Sequence, residues 1–289
     1  KNNGVEYFYI GPGDTEFKFF NSINEDNGVL ANTLQPYFKP VRIMALDGLL
    51  YYKHYGHSKG VVILDKETGI WLLHSTPKFP EKQDKDAFYP GSGKRNAQIF
   101  ICVTFKYGDF KHIGEHLKNI HAFPFAYKIP NGGFHKALQD VTNKQYSDPN
   151  ELKEPHHDFK SEAGQTFKSF VKKTSEDEEP EGKSCAASLK NNLNIQTWHS
   201  KPGKQSATNN GYKLHNIHSI EILRQTWKQG SDHSKWCVSE NEWTCIADSN
   251  RQCNQFTRPG GALCIKKKEI AEVFRKIVIM YKSIRDTKM

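Results

Sequence analysis

The tripeptide His-Ser-Lys occurs twice, at His57-Ser58-Lys59 and at His233-Ser234-Lys235, and each copy runs into a strand-like segment. One copy carries little weight, but two in 289 residues are improbable by composition. The downstream spacing also agrees: His74 stands seventeen residues after His57, and Asn250 seventeen after His233. In each case a second strand-like run, Ile70 to Leu73 or Thr244 to Ala247, delivers that polar residue. Internal duplication is the simplest account. It implies one domain of two halves, about 1–160 with His57, Lys59 and His74, and about 161–289 with His233, Lys235 and Asn250.

Each half must then supply its own sheet. Val5 to Ile10, Gly60 to Leu64, Ile70 to Leu73 and Ile99 to Phe105 are short, β-branched or aromatic runs, which suit buried strands. Tyr89-Pro90-Gly91-Ser92-Gly93 reads as a turn. Helical signals follow at Ile113 to Ile120, Phe134 to Val141 and Gln165 to Val171. The acidic segment Ser175 to Glu181 reads as a solvated loop. Beyond it, Leu193 to Trp198, Trp236 to Val238, Thr244 to Ala247 and Ala262 to Ile265 are again strand-like. Ile270, Val273, Phe274, Ile277, Tyr281 and Ile284 recur at helical spacing and predict a C-terminal helix with one apolar stripe. Strands alternating with helices predict an α/β protein with a mixed sheet.

Composition narrows the partners. The formal charge of +9 suits a polyanion, since neutralising phosphates releases counterions. Thirteen histidines would strengthen that attraction in acid. No stretch is long and apolar enough to span a bilayer, and Lys1 to Ile10 does not read as a signal peptide. The chain is therefore expected to be cytosolic or to have had a leader removed. Cys237, Cys245, Cys253 and Cys264 fall within 28 residues without CxxC pairs, which favours disulfides in an oxidising compartment over zinc.

The paired triplets match the needs of phosphodiester chemistry. A phosphodiester is anionic, and fixed cations such as Lys59 and Lys235 stabilise the charge of its transition state. One histidine attacks phosphorus as neutral imidazole, while the other protonates the departing oxygen. No metal and no cofactor are called for.

The doubled His-x-Lys with a polar residue seventeen positions on resembles the phospholipase D superfamily. More closely, Gly56 to Pro80, Asp232 to Ser239, Trp243 to Cys264, Tyr89 to Phe105 and Thr197-Trp198-His199 resemble the deoxyribonuclease II family. That resemblance implies a pseudo-dimer of two mixed sheets flanked by helices. It also implies a secreted or lysosomal acid endonuclease that needs no divalent cation and leaves 3′-phosphate and 5′-hydroxyl ends on DNA. His57, Lys59 and His74 would form one half-site and His233, Lys235 and Asn250 the other, with His57 as nucleophile and His233 as general acid. Cys245 and Cys264 match a family disulfide; Cys237 with Cys253 is a guess outside that match, and the pairing of Cys102, Cys185, Cys237 and Cys253 stays open. Cys102 lacks the family's N-terminal partner, and the superfamily's Asp seven residues after each His is replaced by Leu64 and Glu240. The absence of an Asn-x-Ser/Thr acceptor favours secretion over glycan-dependent delivery.

Two rival functions remain open on sequence: a diesterase for a non-DNA substrate, and a secreted DNA-binding homologue without turnover. Oligomeric state is also open, a homodimer included. His112 and His116 flank Glu115, but without HExxH or a third ligand they read, like His54, His215 and His218, as surface histidines. Lys111, Lys118 and Lys128 among Phe110, Phe123, Phe125 and Tyr127 suit either a DNA channel or packing under a loop.

Overall fold

The run Gly60-Val61-Val62-Ile63-Leu64 has no polar side chain, so a strand built from it needs cover on both faces. The computed structural model describes residues 3–38, 42–47, 55–80, 88–128, 135–148, 156–172, 188–198, 207–209, 211–251, 255 and 257–281, and it supplies that cover. A hairpin of β1 (Tyr7–Tyr9) and β2 (Lys18–Phe20) precedes helix α1 (Val29–Leu34). An antiparallel sheet follows, made of β3 (Arg42–Asp47), β4 (Lys59–Leu64), β5 (Thr68–His74), β6 (Phe100–Lys106) and β7 (Pro124–Lys128). Its spatial order is β6-β5-β4-β3-β7. Helix α2 (Phe110–Asn119) joins β6 to β7, and α3 (Lys136–Thr142) comes next.

Side chains alternate along β4. Val62 and Leu64 pack with Trp71, Phe105 and the α2 residues Ile113 and Leu117. Val61 and Ile63 face the other way, onto Leu34, Phe79 and Phe88.

The second large sheet starts at His156. Its strands are β8 (His156–Lys160), β9 (Thr166–Lys172), β10 (Leu193–Gln196), β11 (Ala207–Asn209), β12 (Tyr212–Ile222), β13 (Gln225–Lys228), β14 (Trp236–Ser239), β15 (Trp243–Ala247) and β16 (Gly260–Lys266). Helix α4 (Lys268–Lys276) and β17 (Val278–Tyr281) complete it. The order is β11-β12-β10-β14-β15-β16-β9-β8, with β13 and β17 also paired to β12. The β10–β12 pair is parallel and its neighbours are antiparallel, so the sheet is mixed. Phe159, Phe167, Val171 and Leu263 from this sheet share a core with Trp71 and Phe105 of the first.

A mixed α/β architecture, rich in strands and with few helices, is thus present. The same succession follows each His-Ser-Lys. β4 pairs with β5, β5 with β6, and α2 follows; β14 pairs with β15, β15 with β16, and α4 follows.

Two expected helices need correction. Gln165 to Val171 forms strand β9, because Phe167 to Lys172 pairs with Gly260 to Ile265 of β16. The C-terminal helix stops at Lys276, and Val278 to Tyr281 turns into a strand against β12. The β-branched run Ile277-Val278-Ile279 favours that change, since such side chains are stiff in a helix. Ile284 and the acidic segment Ser175 to Glu181 lie outside the described residues.

Candidate active site

Each histidine of the two triplets stands just before its strand and is held by the opposite half of the chain. The His57 Nδ1–H donates to the Asp248 carbonyl oxygen at 2.8 Å, just past the end of β15. Its backbone N–H reaches the Pro259 carbonyl at 3.4 Å. Reciprocally, the His233 N–H donates to the Ala97 carbonyl at 2.8 Å, while the Ala97 N–H donates to Ser231 at 2.9 Å. Ala97 leads into β6 and Pro259 leads into β16, so the same kind of segment performs the exchange in both directions. Arg258 fastens the approach to His57 by donating to the carbonyls of Tyr55 (2.7 Å) and Gly56 (3.3 Å). Gly56 is sterically required there: a Cβ would lie 2.1 Å from the Ile120 carbonyl oxygen.

The lysines are matched as well. Lys59 Nζ donates to the His57 carbonyl at 3.2 Å, and Lys235 Nζ donates to the His233 carbonyl at 2.5 Å. Both are deeply buried, at 5% and 3% exposure. Burial first, then Lys59, Lys235 and Arg258, hold the His57 imidazole well below its ordinary range. Burial, then Lys235 and Lys59, bring His233 down to about 4. Each imidazole thus feels both lysines.

His74 and Asn250, the seventeen-residue partners, are also buried. Burial, followed by Lys59, lowers the His74 pKa to about 3. Neither ring nitrogen of His74 has a well-formed hydrogen bond, and the Asn250 Oδ1 has none. Ser58 Oγ shares this condition, whereas the Ser234 hydroxyl lies against the Asp232 carboxylate. Buried polar atoms in a folded protein are normally satisfied, and the unsatisfied ones here belong to Ser58 and to the two seventeen-residue partners, His74 and Asn250. Ser58, Lys59, His74, His116 and Asp248 line one small cavity at this point.

Three neighbours carry weight that sequence reasoning gave them no role for. Asp248 orients His57 through its backbone oxygen, while its buried carboxylate accepts the Gly261 N–H at 3.0 Å and the Ser249 hydroxyl at 2.9 Å. Burial raises the pKa of that carboxyl, against the Gly261 hydrogen bond and the charges of Lys172 and Lys59. Trp198 sets its ring edge-on to His233 at 4.6 Å. Arg258 is the third. All three lie in segments quoted above for their resemblance, but only folding brings them to the histidines.

Other expectations divide. His116 is not a surface residue: it is buried edge-on to Trp71 at 5.1 Å, and burial lowers its pKa to about 3. His215 and His218 are half-buried on β12, and His54 lies outside the described residues. Phe110 belongs to the core, Lys118 pairs with Asp140 at 3.0 Å, and Phe125 and Tyr127 are exposed. Cys245 and Cys264 form a disulfide between directly opposed positions of β15 and β16. Cys185 and Cys253 lie outside the described residues.

Comparison with known proteins identifies the family. The family model Deoxyribonuclease II matches residues 1–284. Human deoxyribonuclease-2-beta is 31% identical over 98% of this chain and 84% of its own length. Plancitoxin-1 of Acanthaster planci is 29% identical, over 96% of this chain and 83% of that protein. Deoxyribonuclease-2-alpha of Sus scrofa is also 29% identical, over 96% and 81%. The chain belongs to the deoxyribonuclease II family.

Proposed function

We propose that the chain is an acid endonuclease that hydrolyses DNA phosphodiesters through a phosphohistidine intermediate, without a divalent cation. The observation that carries this reading is the cross-held pair of histidines, each beside a buried lysine, around unsatisfied polar atoms. Membership in a family of deoxyribonucleases makes DNA the substrate, and the +9 charge favours such a polyanion.

The chemistry follows from the tautomer and the field. With its Nδ1–H committed to the Asp248 carbonyl, neutral His57 presents the Nε2 lone pair to phosphorus. Its pKa is held well below the ordinary range, so it stays neutral in mild acid. His233 then acts as the imidazolium that protonates the 5′-oxygen as the bond from phosphorus breaks. The 3′-phosphoryl group remains on His57. Neutral His233 next takes a proton from water, the water oxygen attacks phosphorus, and the P–Nε2 bond breaks to release the 3′-phosphate and return His57 as neutral imidazole. Lys59 and Lys235 neutralise charge on the phosphoryl oxygens in both steps. His74 and Asn250 complete the two half-sites as partners for the same oxygens.

The matching successions β4-β5-β6-α2 and β14-β15-β16-α4 support a duplicated, phospholipase D-like pseudo-dimer with halves of about 1–160 and 161–289. An approximate twofold axis between the histidines puts one on each side of the phosphorus, as in-line displacement requires. By family, the protein works after secretion or in the lysosome; among the described residues no helix is long and apolar enough to cross a membrane.

The test is supercoiled plasmid in EDTA from pH 4 to pH 8, with His57→Ala and His233→Ala beside the native chain. Metal-free nicking in acid, lost in both variants, is the expected outcome. Plasmid left intact at every pH yet retained by the protein would replace this reading with a DNA-binding homologue that lacks turnover.

A further inference from the structure

We propose that His112, Glu115 and His157 form a binding site for a divalent metal ion of the zinc class, separate from the catalytic cluster and independent of the nuclease reading. His112 and Glu115 are three apart on α2 and so share a helix face. His157, on β8, meets them from the second sheet. One ligand atom from each residue lies within 4.8 Å of the other two. His112 Nδ1 is 3.0 Å from Glu115 Oε2, and His157 Nε2 is 3.9 Å from that same oxygen. The two imidazole rings stand 5.0 Å apart.

Tetrahedral zinc, with bonds near 2.0–2.1 Å, keeps its ligand atoms about 3.3 Å apart. Small side-chain rotations therefore bring all three into range. Two imidazoles and one carboxylate are a set that zinc accepts with a fourth position left to water. The nitrogen majority selects against calcium and magnesium, which prefer oxygen. His112 and Glu115 are 45% and 36% exposed, so an ion and its water have access from solvent.

The neighbouring His116, four residues after His112, is buried edge-on to Trp71 and is not one of the three grouped ligands. The third ligand comes instead from a strand 45 positions further along the chain than His112. An ion here would tie α2, which covers the first sheet, to β8 at the edge of the second. Because the set exists only in the folded chain, binding stabilises the fold.

The experiment is calorimetric titration of zinc chloride into the EDTA-stripped full chain at pH 7.5, repeated with His112→Ala, Glu115→Gln, His157→Ala and His57→Ala. Melts in EDTA check that each variant folds, and Cu(II) electron paramagnetic resonance reads nitrogen coordination directly. The expected result is one saturable site. It weakens at least as much as the roughly 10–100-fold that even outer partners of a metal site are worth when His112 or His157 is removed. Zinc should raise the melting temperature of the native chain and of His57→Ala, but not of the three site variants. No saturable binding, or binding unchanged in the site variants, would overturn the proposal. So would binding abolished only by His57→Ala, which would place the ion on the catalytic histidines.

Discussion

An ammonium group taken out of water is costly unless its hydrogen bonds are replaced, and both Lys59 and Lys235 are buried with their own histidine's carbonyl as an acceptor. Both cations also act on the His57 and His233 imidazoles, and this links rate to pH. Removing one cation, as in Lys235→Met, should lower kcat by on the order of 10²–10³, the usual loss for one transition-state donor. It should also move the remaining pH–rate profile upward, because losing a neighbouring positive charge raises the His233 and His57 pKa values. Plasmid nicking measured across pH checks both parts; a slower rate with an unmoved profile would show that the lysine does not set the histidine pKa. Gly56 offers a second test at this scale. In Gly56→Ala the added methyl meets the Ile120 carbonyl, so His57 must shift. A loss of about 10²-fold in kcat is expected from misplacement of the nucleophile. The melting temperature should change less than the rate does.

Elements explain why some segments were legible in the sequence and others were not. Gly60 to Leu64 was legible because a short, β-branched, continuously apolar run fits a strand covered on both faces better than a helix. Thr166 to Lys172, by contrast, spaces its apolar residues so that helix and strand are both satisfied locally. Its pairing with β16 on one side and β8 on the other decides between them. The C-terminal pattern was half legible. Ile270, Val273 and Phe274 do form the buried stripe of α4, but β12 captures Val278 to Tyr281 as a paired strand. Within that stripe Phe274 meets Trp236 edge-on at 5.0 Å, directly behind the second His-Ser-Lys. Phe274→Ala should therefore destabilise the fold by about 3–5 kcal/mol, readable as a lowered urea midpoint.

For the whole molecule, the buried histidines tie stability to pH in a direction opposite to the proposed activity. His74 and His116 have pKa values near 3 when folded, and His233 about 4, whereas an unfolded histidine titrates near 6.5. The unfolded chain therefore takes up protons that the folded one refuses. Stability present above pH 6.5 should be lost as pH falls through the window towards 4 and 3. For His74 and His116 the loss is about 2 kcal/mol each between pH 6.5 and pH 5. Melting curves from pH 7.5 to 4.5 should fall accordingly, and a short DNA duplex should restore part of the loss in acid by binding only the folded state. A melting temperature independent of pH would mean that these imidazoles are more accessible than their burial implies.

Sequence alone determined the components: two His-Ser-Lys triplets, their partners seventeen residues on, the strands that carry them, the basic charge and the family resemblance. These are local or compositional signals, written in side-chain order and spacing. Tertiary structure alone decided which residues from distant segments meet. It brought the Asp248 carbonyl to His57, Ala97 to His233, Trp198 to the His233 ring, and His157 to His112 and Glu115. It also turned His116 from an expected surface residue into part of the core. The physical reason is common to all of these cases. Periodicity fixes which face a side chain occupies on its own element, but sheet pairing and the packing of α2 between two sheets fix what that face touches.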